Sequence, residues 1–259
     1  MLCVFNKGVV NPPKELQSPE AAAVLPVNLK RAGEALQDFL SSNPTNSFHL
    51  HFGDNGFLAA SSSQSSTAAP RQTSRRKMFC GVEDVYCVFV GSLDNLSALN
   101  RQYGLSKSSN EAVFAIEAYR TLRDRRPLPA HRVLQDLDGS FAFVVYDHKS
   151  GTAFAAVGGN GEVNLLWGIT GDGCVMISDD TSLIKASCGK SFAPFPAGCM
   201  YHTESGLISF EHPRNAMKAM PRVDSKGAIC GSNFAVDDSC ATVKSMPRVG
   251  SEANWANWS

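Results

Sequence analysis

Cysteine is the residue type in this chain best suited to nucleophilic or metal chemistry. Eight cysteines occur: Cys3, Cys80, Cys87, Cys174, Cys188, Cys199, Cys230 and Cys240. None forms a Cys-x-x-Cys pair and no histidine lies at zinc-finger spacing from them, so the sequence predicts no structural zinc site. Several lie inside apolar runs, where a free thiol behaves as a small hydrophobic side chain. We therefore expect mostly reduced cysteines, no metal and no cofactor.

Three further groups of residues are candidates for chemistry, and each has a plainer structural interpretation. His49 and His51 alternate with apolar residues, which predicts a solvated strand face; activation of a cysteine is the alternative. Asp179 and Asp180 could bind a metal, but adjacent carboxylates after a strand are more often turn or cap residues. The glycine-rich segment 158–161 joins two strands and opens no helix, so it is not a phosphate-binding loop.

The overall charge and hydropathy pattern exclude several classes of protein. Lys and Arg total 24 and Asp and Glu also total 24, which argues against bulk electrostatic binding to nucleic acid. No window approaches the roughly 20 apolar residues that span a bilayer. The N-terminal apolar stretch has no basic start and no cleavage site, so we expect no signal peptide. A cytoplasmic protein is predicted, with a nuclear location as the alternative because of the basic run Arg75-Arg76-Lys77.

Hydrophobic periodicity predicts several helices among many short strands. Strands are expected at 2–5, 48–52, 57–60, 85–90, 141–146, 152–157, 165–168, 175–178, 195–198 and 206–210. Helices are expected at 28–40, at 111–125 after a capping box from Ser108 to Glu111, at 131–137, and as one turn at 182–186. Pattern alone gives an α+β or α/β domain with a substantial antiparallel core.

One domain is predicted over residues 1–236, with a mobile Ser-rich loop at 61–77. The segment 237–259 is polar without periodicity and is predicted to be a disordered tail. Its Trp255 and Trp258 could anchor a partner, although no other anchor residues flank them.

Several longer strings resemble a known protein group. The segment 137–147, LDGSFAFVVYD, is similar to the strand–turn–strand signature of the glutamine-hydrolysing domain of asparagine synthetases. The segment 89–95, FVGSLDN, lies where that family carries an Asn-Gly-Glu motif. YGL at 103–105 and LRDR at 122–125 are the two motifs that name the plant aluminium-induced, stem-specific group, and SFAPFP at 191–196 also resembles that group.

The resemblance covers roughly residues 1–10 and 78–236, and it implies an α+β fold, the four-layer α-β-β-α sandwich of the N-terminal-nucleophile hydrolases. Such an amidotransferase uses an N-terminal cysteine, whose free α-amino group acts as the base. Exposure of Cys3 would require removal of Met1 and Leu2, and methionine removal needs a small residue at position 2. We therefore expect Cys3 to stay internal, with its thiol mostly protonated at neutral pH.

The other site positions implied by the resemblance are also altered. Val90 stands where the family has an asparagine that donates to the oxyanion, and one missing donor costs about 10²–10³ in rate. Gly91 is retained, and its N–H could still donate. Ser92 replaces the glutamate that holds the substrate ammonium, and Ser109 falls near a second lost acidic anchor. No arginine occurs in 48–60, where the substrate carboxylate would be bound.

Three functions remain open from the sequence. The first is a non-catalytic module of stress or hormone responses that binds a small ligand or proteins, a second copy of itself included. The second is a hydrolase or amidotransferase that uses Cys3 after unusual N-terminal processing, or through a histidine. The third is a scaffold that uses the Ser-rich loop and the tail. The four losses favour the first, with a vestigial ligand pocket formed by Cys3, Val90, Gly91, Ser92 and Ser109.

Overall fold

A computed structural model describes residues 1–16, 29–61, 76–124, 129–223, 225, 227 and 229–237. Most of the predicted loop at 61–77, and all but the first residue of the predicted tail at 237–259, lie outside these ranges. Arg125 of the LRDR motif, the two tail tryptophans and the first arginine of the basic run also lie outside them.

The described residues form a mixed α+β structure of strands with a few helices. The strands are β1 Leu2–Phe5, β2 Ser47–His51, β3 Gly56–Ser61, β4 Lys77–Val82, β5 Val85–Leu93, β6 Gly139–Asp147, β7 Thr152–Val157, β8 Leu166–Ile169, β9 Val175–Ser178, β10 Phe192–Pro194, β11 Cys199–His202, β12 Gly206–Ser209, β13 Met217–Val223 and β14 Ile229–Val236. The α-helices are α1 Ala32–Ser42, α2 Leu96–Gln102, α3 Glu111–Asp124, α4 Ala130–Gln135 and α5 Thr181–Cys188. Two short 3-10 turns span Lys14–Leu16 and Gly53–Asn55.

Two six-stranded antiparallel sheets make up most of the structure. The first has the strand order β10-β8-β9-β1-β3-β2, and the second has the order β12-β11-β7-β6-β5-β4. Strands β13 and β14 form a separate hairpin. Strand β1 therefore lies inside the first sheet, paired with β3 on one side and with β9 on the other.

Side-chain alternation along the strands divides the core into three clusters. Cys3 and Phe5 of β1 belong to the cluster built from both sheets, where the ring of Phe5 lies 5.4 Å from that of Tyr146. Leu2 and Val4, on the other face of β1, belong to a cluster shared with α1 and α5. The third cluster joins the second sheet to α2, α3 and α4. Each of the two sheets thus contributes residues to the shared cluster and to one cluster that also contains helix residues.

Most predicted elements are confirmed, and two predictions are wrong. The predicted strand 195–198 is absent: strand β10 ends at Pro194, and Pro196 has no N–H to donate to a strand ladder. The apolar side chain of Phe195 is instead buried against Trp167, with ring centroids 5.1 Å apart. The residue Gly198 completes the turn with φ +65°.

The predicted capping box of α3 is also wrong. The helix begins at Glu111, and Asn110 Oδ1 accepts the Val113 N–H at 3.0 Å, which is the geometry of an N-cap. Ser108 instead contacts the hydroxyl of Ser106 at 2.8 Å. Asparagine caps helices as well as serine does, so the nearer residue takes the position. The ends of the predicted Ser-rich loop belong to strands β3 and β4.

The first arginine of the LRDR motif is engaged in an internal ion pair. Asp147 ends β6 fully buried, and its carboxylate accepts from Arg123 Nη1 at 2.9 Å and from the Tyr119 hydroxyl at 3.2 Å. The backbone N–H groups of Lys149 and Ser150 donate to its other oxygen. Burial raises the pKa of Asp147, but the hydrogen bonds from Arg123 and Ser150 outweigh it and hold this pKa below 3.8. The motif thus fastens the end of α3 to the β6–β7 hairpin.

The YGL motif closes α2. Gly104 takes the left-handed conformation with φ +70°, and the Leu105 N–H donates to the Asn100 carbonyl at 2.7 Å. The ring of Tyr103 packs edge-on against Phe114 at 5.2 Å. Both motifs therefore have a structural role around α3.

Arg123→Ala is predicted to lower the free energy of unfolding by about 1–3 kcal/mol at neutral pH, because Asp147 loses its cationic partner. Arg120→Ala is the matched control, since Arg120 pairs with Glu83 and Glu117 at the surface, and it should cost less than about 1 kcal/mol. The pKa of Asp147 is lower in the folded state than in the unfolded state. The ionised carboxylate therefore stabilises the fold above pH 3.8, and this stabilisation is lost as the pH falls through the folded-state pKa. Urea unfolding across this range measures both effects, and equal losses for the two variants would contradict the structural role.

Gly91→Ala is predicted to be among the most damaging single substitutions in the chain. Gly91 has φ +106°, and a Cβ there would lie 1.9 Å from the Ser140 carbonyl oxygen. Gly104→Ala is the control, because Gly104 also has positive φ but open space around it. We expect about 1–2 kcal/mol for Gly104→Ala and more than about 4 kcal/mol, or failure to fold, for Gly91→Ala. Similar thermal stabilities of the two variants would be incompatible with the close approach of β5 and β6.

Candidate functional site

Cys3, the only nucleophile that the resemblance implies, lies at the centre of the first sheet. It pairs with Leu58 of β3 and Ile177 of β9, and its side chain is fully buried in the cluster between the sheets. Burial raises the pKa of the Cys3 thiol to about 12. The thiol is therefore protonated at neutral pH and has no contact with solvent.

Met1 occupies the position directly before β1 and is built into the fold. Its side chain is fully buried in the same cluster as Cys3. Its α-ammonium group forms an ion pair with Asp179, and its carbonyl accepts a hydrogen bond of 2.8 Å from the Ser178 hydroxyl. Lys77 Nζ lies 2.7 Å from the other carboxylate oxygen of Asp179. Asp179 thus bridges two cations: the amino group before β1 of the first sheet, and Lys77 at the start of β4 in the second sheet.

Strand register explains why Met1 and Asp179 meet. Leu2 pairs with Ser178 in the antiparallel β1–β9 ladder, so the residue before Leu2 lies beside the residue after Ser178. Burial raises the pKa of Asp179, but the charges of the Met1 ammonium and Lys77 outweigh it, so this pKa lies below 3.8. The carboxylate is therefore ionised at neutral pH and holds the ammonium group.

The neighbouring aspartate has a separate role. Asp180 Oδ1 accepts from the backbone N–H of Ser182 at 2.7 Å and of Leu183 at 3.2 Å, which caps helix α5. The interpretation of Asp179 and Asp180 as turn or cap residues is therefore confirmed for Asp180. Within the ranges the structure describes, no group of three or more His, Cys, Asp or Glu side chains is placed to hold a metal ion.

A small surface pocket of about 270 Å³ lies over the amino terminus. It is lined by Met1, Phe39, Asn43, Ser61, Lys77, Asp179, Asp180 and Thr181. The Met1–Asp179 pair lies at its wall, and Met1 also belongs to the core cluster that contains Cys3, whereas Cys3 does not line the pocket.

The residues at the implied oxyanion position are engaged in the second sheet. Val90 is 3% exposed, and its side chain belongs to the cluster between the sheets. The Gly91 N–H donates to the Arg76 carbonyl at 2.9 Å, because the β4–β5 pairing continues beyond Lys77. Ser92 is exposed opposite Ser140. The N–H that could have served an oxyanion is thus occupied by the sheet.

Ser109 lies in the turn between α2 and α3. Its N–H donates to the Ser106 carbonyl at 3.0 Å, and its own carbonyl accepts from Asn100 Nδ2 at 2.9 Å. These helices pack on the face of the second sheet that points away from the first sheet. Ser109 therefore lies on the other side of the second sheet from Cys3, whereas Val90 and Cys3 share one buried cluster.

The two histidines lie on the face of the first sheet opposite to the cysteine. His49 is exposed on the edge strand β2 and pairs with Ala59, which in turn pairs with Leu2. Residues that pair across strands share a face, so His49 and His51 lie on the side of Leu2 and not of Cys3. Neither is placed to take a proton from the thiol.

Lys77 and Met1 are the residues of this site that the sequence reasoning missed. Lys77 reads as part of a basic, Ser-rich loop, and a methionine at the start of a chain carries no pattern of its own. The signal that could have found the Met1–Asp179 contact is the register of β1 and β9, which places an acidic residue beside the amino terminus.

Among the described residues, no helix is long and apolar enough to cross a membrane.

Known proteins with similar sequences match the chain over stretches of different length. The Stem-specific protein TSJT1 of Nicotiana tabacum is 36% identical over 156 residues, which is 60% of this chain and 99% of the tobacco protein. A probable glutamine-hydrolysing asparagine synthetase of Dictyostelium discoideum is 41% identical over 69 residues, or 27% of this chain. The matched region is 12% of that synthetase's length.

Two solved structures are distant neighbours in fold. Glutamine phosphoribosylpyrophosphate amidotransferase from B. subtilis, complexed with ADP and GMP, aligns with a TM-score of 0.42 and 14% identity. A structure described as the allosteric regulatory enzyme of purine biosynthesis aligns with a TM-score of 0.41 and 15% identity. Each alignment covers 60% of this chain and 35% of the neighbour.

The profile of one protein family spans almost all of the described structure. It matches residues 2–236, from the first residue of β1 to the last residue of β14. Together with the similarity to the tobacco protein over nearly its whole length, this match shows that the chain belongs to the family described as Aluminium induced protein.

Proposed function

We propose that this protein is a non-catalytic relative of the glutamine amidotransferases that acts as a binding or regulatory module in a stress or hormone response. Membership of the aluminium-induced family supports the physiological setting. The observation that carries the proposal is the position of Met1, whose side chain is buried in the same cluster as Cys3 and whose amino group is bound to Asp179.

The chemistry of an N-terminal nucleophile needs the thiolate and a free amino group on one residue. In this chain the free amino group belongs to Met1 and is paired with Asp179, whereas the nitrogen of Cys3 is an amide within β1. An amide nitrogen has no basicity at neutral pH, and a thiol with a pKa of about 12 supplies almost no thiolate. The base and the nucleophile are thus both lost.

The surroundings of the cysteine argue against recovery of activity by processing alone. Val90 offers no donor to an oxyanion, and the N–H of Gly91 already bonds to Arg76. Each missing oxyanion donor costs about 10²–10³ in rate. A substrate carboxylate would also lack its arginine, since none occurs in 48–60.

The burial of the cysteine also bears on what the module binds. Cys3 and Val90 lie in a packed cluster between the sheets, which leaves them no contact with a ligand in solution. This favours recognition of proteins through the surface over a small molecule held in the vestigial pocket. A cytoplasmic or nuclear protein that binds other proteins, with a homodimer as one form, is the version we propose.

We further infer one domain over 1–236 with the layer order α-β-β-α. The division of the core into one cluster between the sheets and one helix-facing cluster on each sheet supports this order. The extent of the family match, 2–236, supports the domain limits.

A glutaminase assay on matched forms of the protein tests the loss of catalysis. One form begins at Met1, a second is released from a fusion so that it begins at Cys3, and the third is the second with Cys3→Ala. We expect the same background ammonia release from all three, because exposure of the cysteine does not restore the donors. Thermal unfolding of each form checks that it is folded.

Hydrolysis by the form that begins at Cys3, above that of its Cys3→Ala control, would overturn the proposal and support the processed hydrolase. Intact mass of the protein from its native tissue adds an independent result. A chain that retains Met1 agrees with the proposal, and a chain that begins at Cys3 contradicts it.

The Met1–Asp179 pair predicts a specific stability difference between adjacent aspartates. Asp179→Asn should lower the free energy of unfolding by about 1–3 kcal/mol, because the buried ammonium loses its anion. Asp180→Asn is the control, since asparagine caps a helix as well as aspartate does, and it should be nearly neutral. The depressed pKa of Asp179 makes its contribution present above pH 3.8 and lost as the pH falls further.

Urea unfolding of both variants at neutral and acidic pH measures this difference. A two-residue extension before Met1 should destabilise the chain as Asp179→Asn does, since it displaces the ammonium group. Equal stability of the extended and unextended chains would show that the amino group is not held by Asp179.

A further inference from the structure

Two cysteines face each other across the β4–β5 hairpin. Cys80 and Cys87 are direct partners in the antiparallel ladder, and a two-residue turn at Glu83 and Asp84 closes the hairpin. Cα atoms of directly opposed residues lie about 4.5–5.5 Å apart, which is within the roughly 4.4–6.8 Å that a disulfide spans. The backbone thus brings the two thiols close to bonding range within the same hairpin.

The side chains also share a face of the second sheet. Cys87 is fully buried in the cluster between this sheet and the helices, and Cys80 packs against the same cluster while keeping part of its surface in solvent. One thiol is therefore within reach of a small oxidant, and the other lies behind it. In this arrangement the exposed thiol can react first with the oxidant, and the buried thiol can then act as the resolving thiol.

We propose that Cys80 and Cys87 form a peroxide-oxidisable dithiol, and that their cross-strand disulfide is a reversible modification site of this protein. The thiol of Cys80 attacks hydrogen peroxide, which gives a sulfenic acid and releases one water. The thiol of Cys87 then displaces the sulfenic hydroxyl as a second water and forms the sulfur–sulfur bond. Peroxide is reduced, the two thiols are oxidised, and a dithiol reductant reverses the step.

The hydrogen-bond pattern indicates how far the strands must move. The Gly91 N–H donates to the Arg76 carbonyl, so alternate pairs along this ladder, Cys80 and Cys87 included, are the hydrogen-bonded ones. Cβ atoms in such pairs lie near the upper end of about 4.5–5.5 Å, whereas a disulfide needs about 3.5–4.5 Å. Closure therefore requires an approach of about 1 Å. Strand β4 is an edge strand and carries Gly81 beside the cysteine, so it can supply this movement.

Burial sets the rate at which the pair responds. It raises the pKa of both thiols, so only a small fraction of Cys80 is thiolate at neutral pH. The reaction is accordingly slow, and the pair responds to sustained oxidant and not to a brief pulse. A disulfide between hydrogen-bonded partners holds the two strands closer than the ladder does, and this strain makes the bond easier to reduce.

The test is peroxide treatment of the whole protein, followed by alkylation under denaturing conditions and peptide mass spectrometry. Trypsin leaves both cysteines in one peptide, Met78–Arg101, since no Lys or Arg lies between its ends. We expect the loss of both alkylation sites in this peptide and a mass lower by the two hydrogens that oxidation removes. A second cleavage after Glu83 should give two peptides that stay joined until a dithiol reductant is added.

Matched variants separate the pair from general thiol oxidation. Cys174→Ser removes another half-exposed cysteine and should leave the linked peptides unchanged. Cys87→Ala should abolish linkage and leave a sulfenic acid at Cys80 that a dimedone probe captures. Retention of both alkylation sites in the treated wild-type protein, over-oxidation of Cys80 without linkage, or linkage of Cys80 to another cysteine would each overturn the proposal. The wild-type digest decides the matter even where a variant fails to fold.

Discussion

The pairing of β1 with β3 on one side and β9 on the other is the constraint on which the rest of the structure depends. It makes the first residues of the chain a central strand of a six-stranded sheet. The alternation of that strand then sends Cys3 into the space between the sheets and Leu2 towards the helices. The same register brings the amino terminus to Asp179, so one set of backbone hydrogen bonds fixes both the burial of the thiol and the anchoring of the ammonium.

A central strand at the start of the chain has an energetic consequence. Each fully buried apolar side chain contributes roughly 1.5–3 kcal/mol, and Met1, Leu2, Val4 and Phe5 are all almost completely buried. A buried charge is tolerated only when it is paired, and the Met1 ammonium meets this requirement through Asp179, which Lys77 also neutralises. This pairing offsets only part of the desolvation, because burial still leaves the pKa of the Met1 amino group below its ordinary value.

Local patterns sufficed to predict much of the fold, and distant pairings account for what they missed. Strands such as 141–146 and 152–157 are continuous apolar runs, and the structure has them within β6 and β7. The N-cap of α3 moved from Ser108 to Asn110 because two good cap residues lie close together, and sequence does not rank them. The ion pair between Met1 and Asp179 joins residues 178 positions apart in the chain. It can be inferred only once the register of β1 and β9 is known. The same limit applies to the Gly91 N–H, which bonds to Arg76 at the edge of a segment whose composition indicates a loop.

The residues around Cys3 contribute to the integrity of the core. An active site keeps polar donors unsatisfied and a nucleophile exposed, and both reduce stability. Here Val90 packs in the cluster built from both sheets, the Gly91 N–H completes the ladder, and the Met1 side chain is buried in the same cluster as Cys3. The described residues of the LRDR and YGL motifs contact helix α3 and the end of β6, on the helix-facing side of the second sheet. In the proposed non-catalytic role, side chains that fill the space around Cys3 stabilise the core, and recognition would fall to the surface.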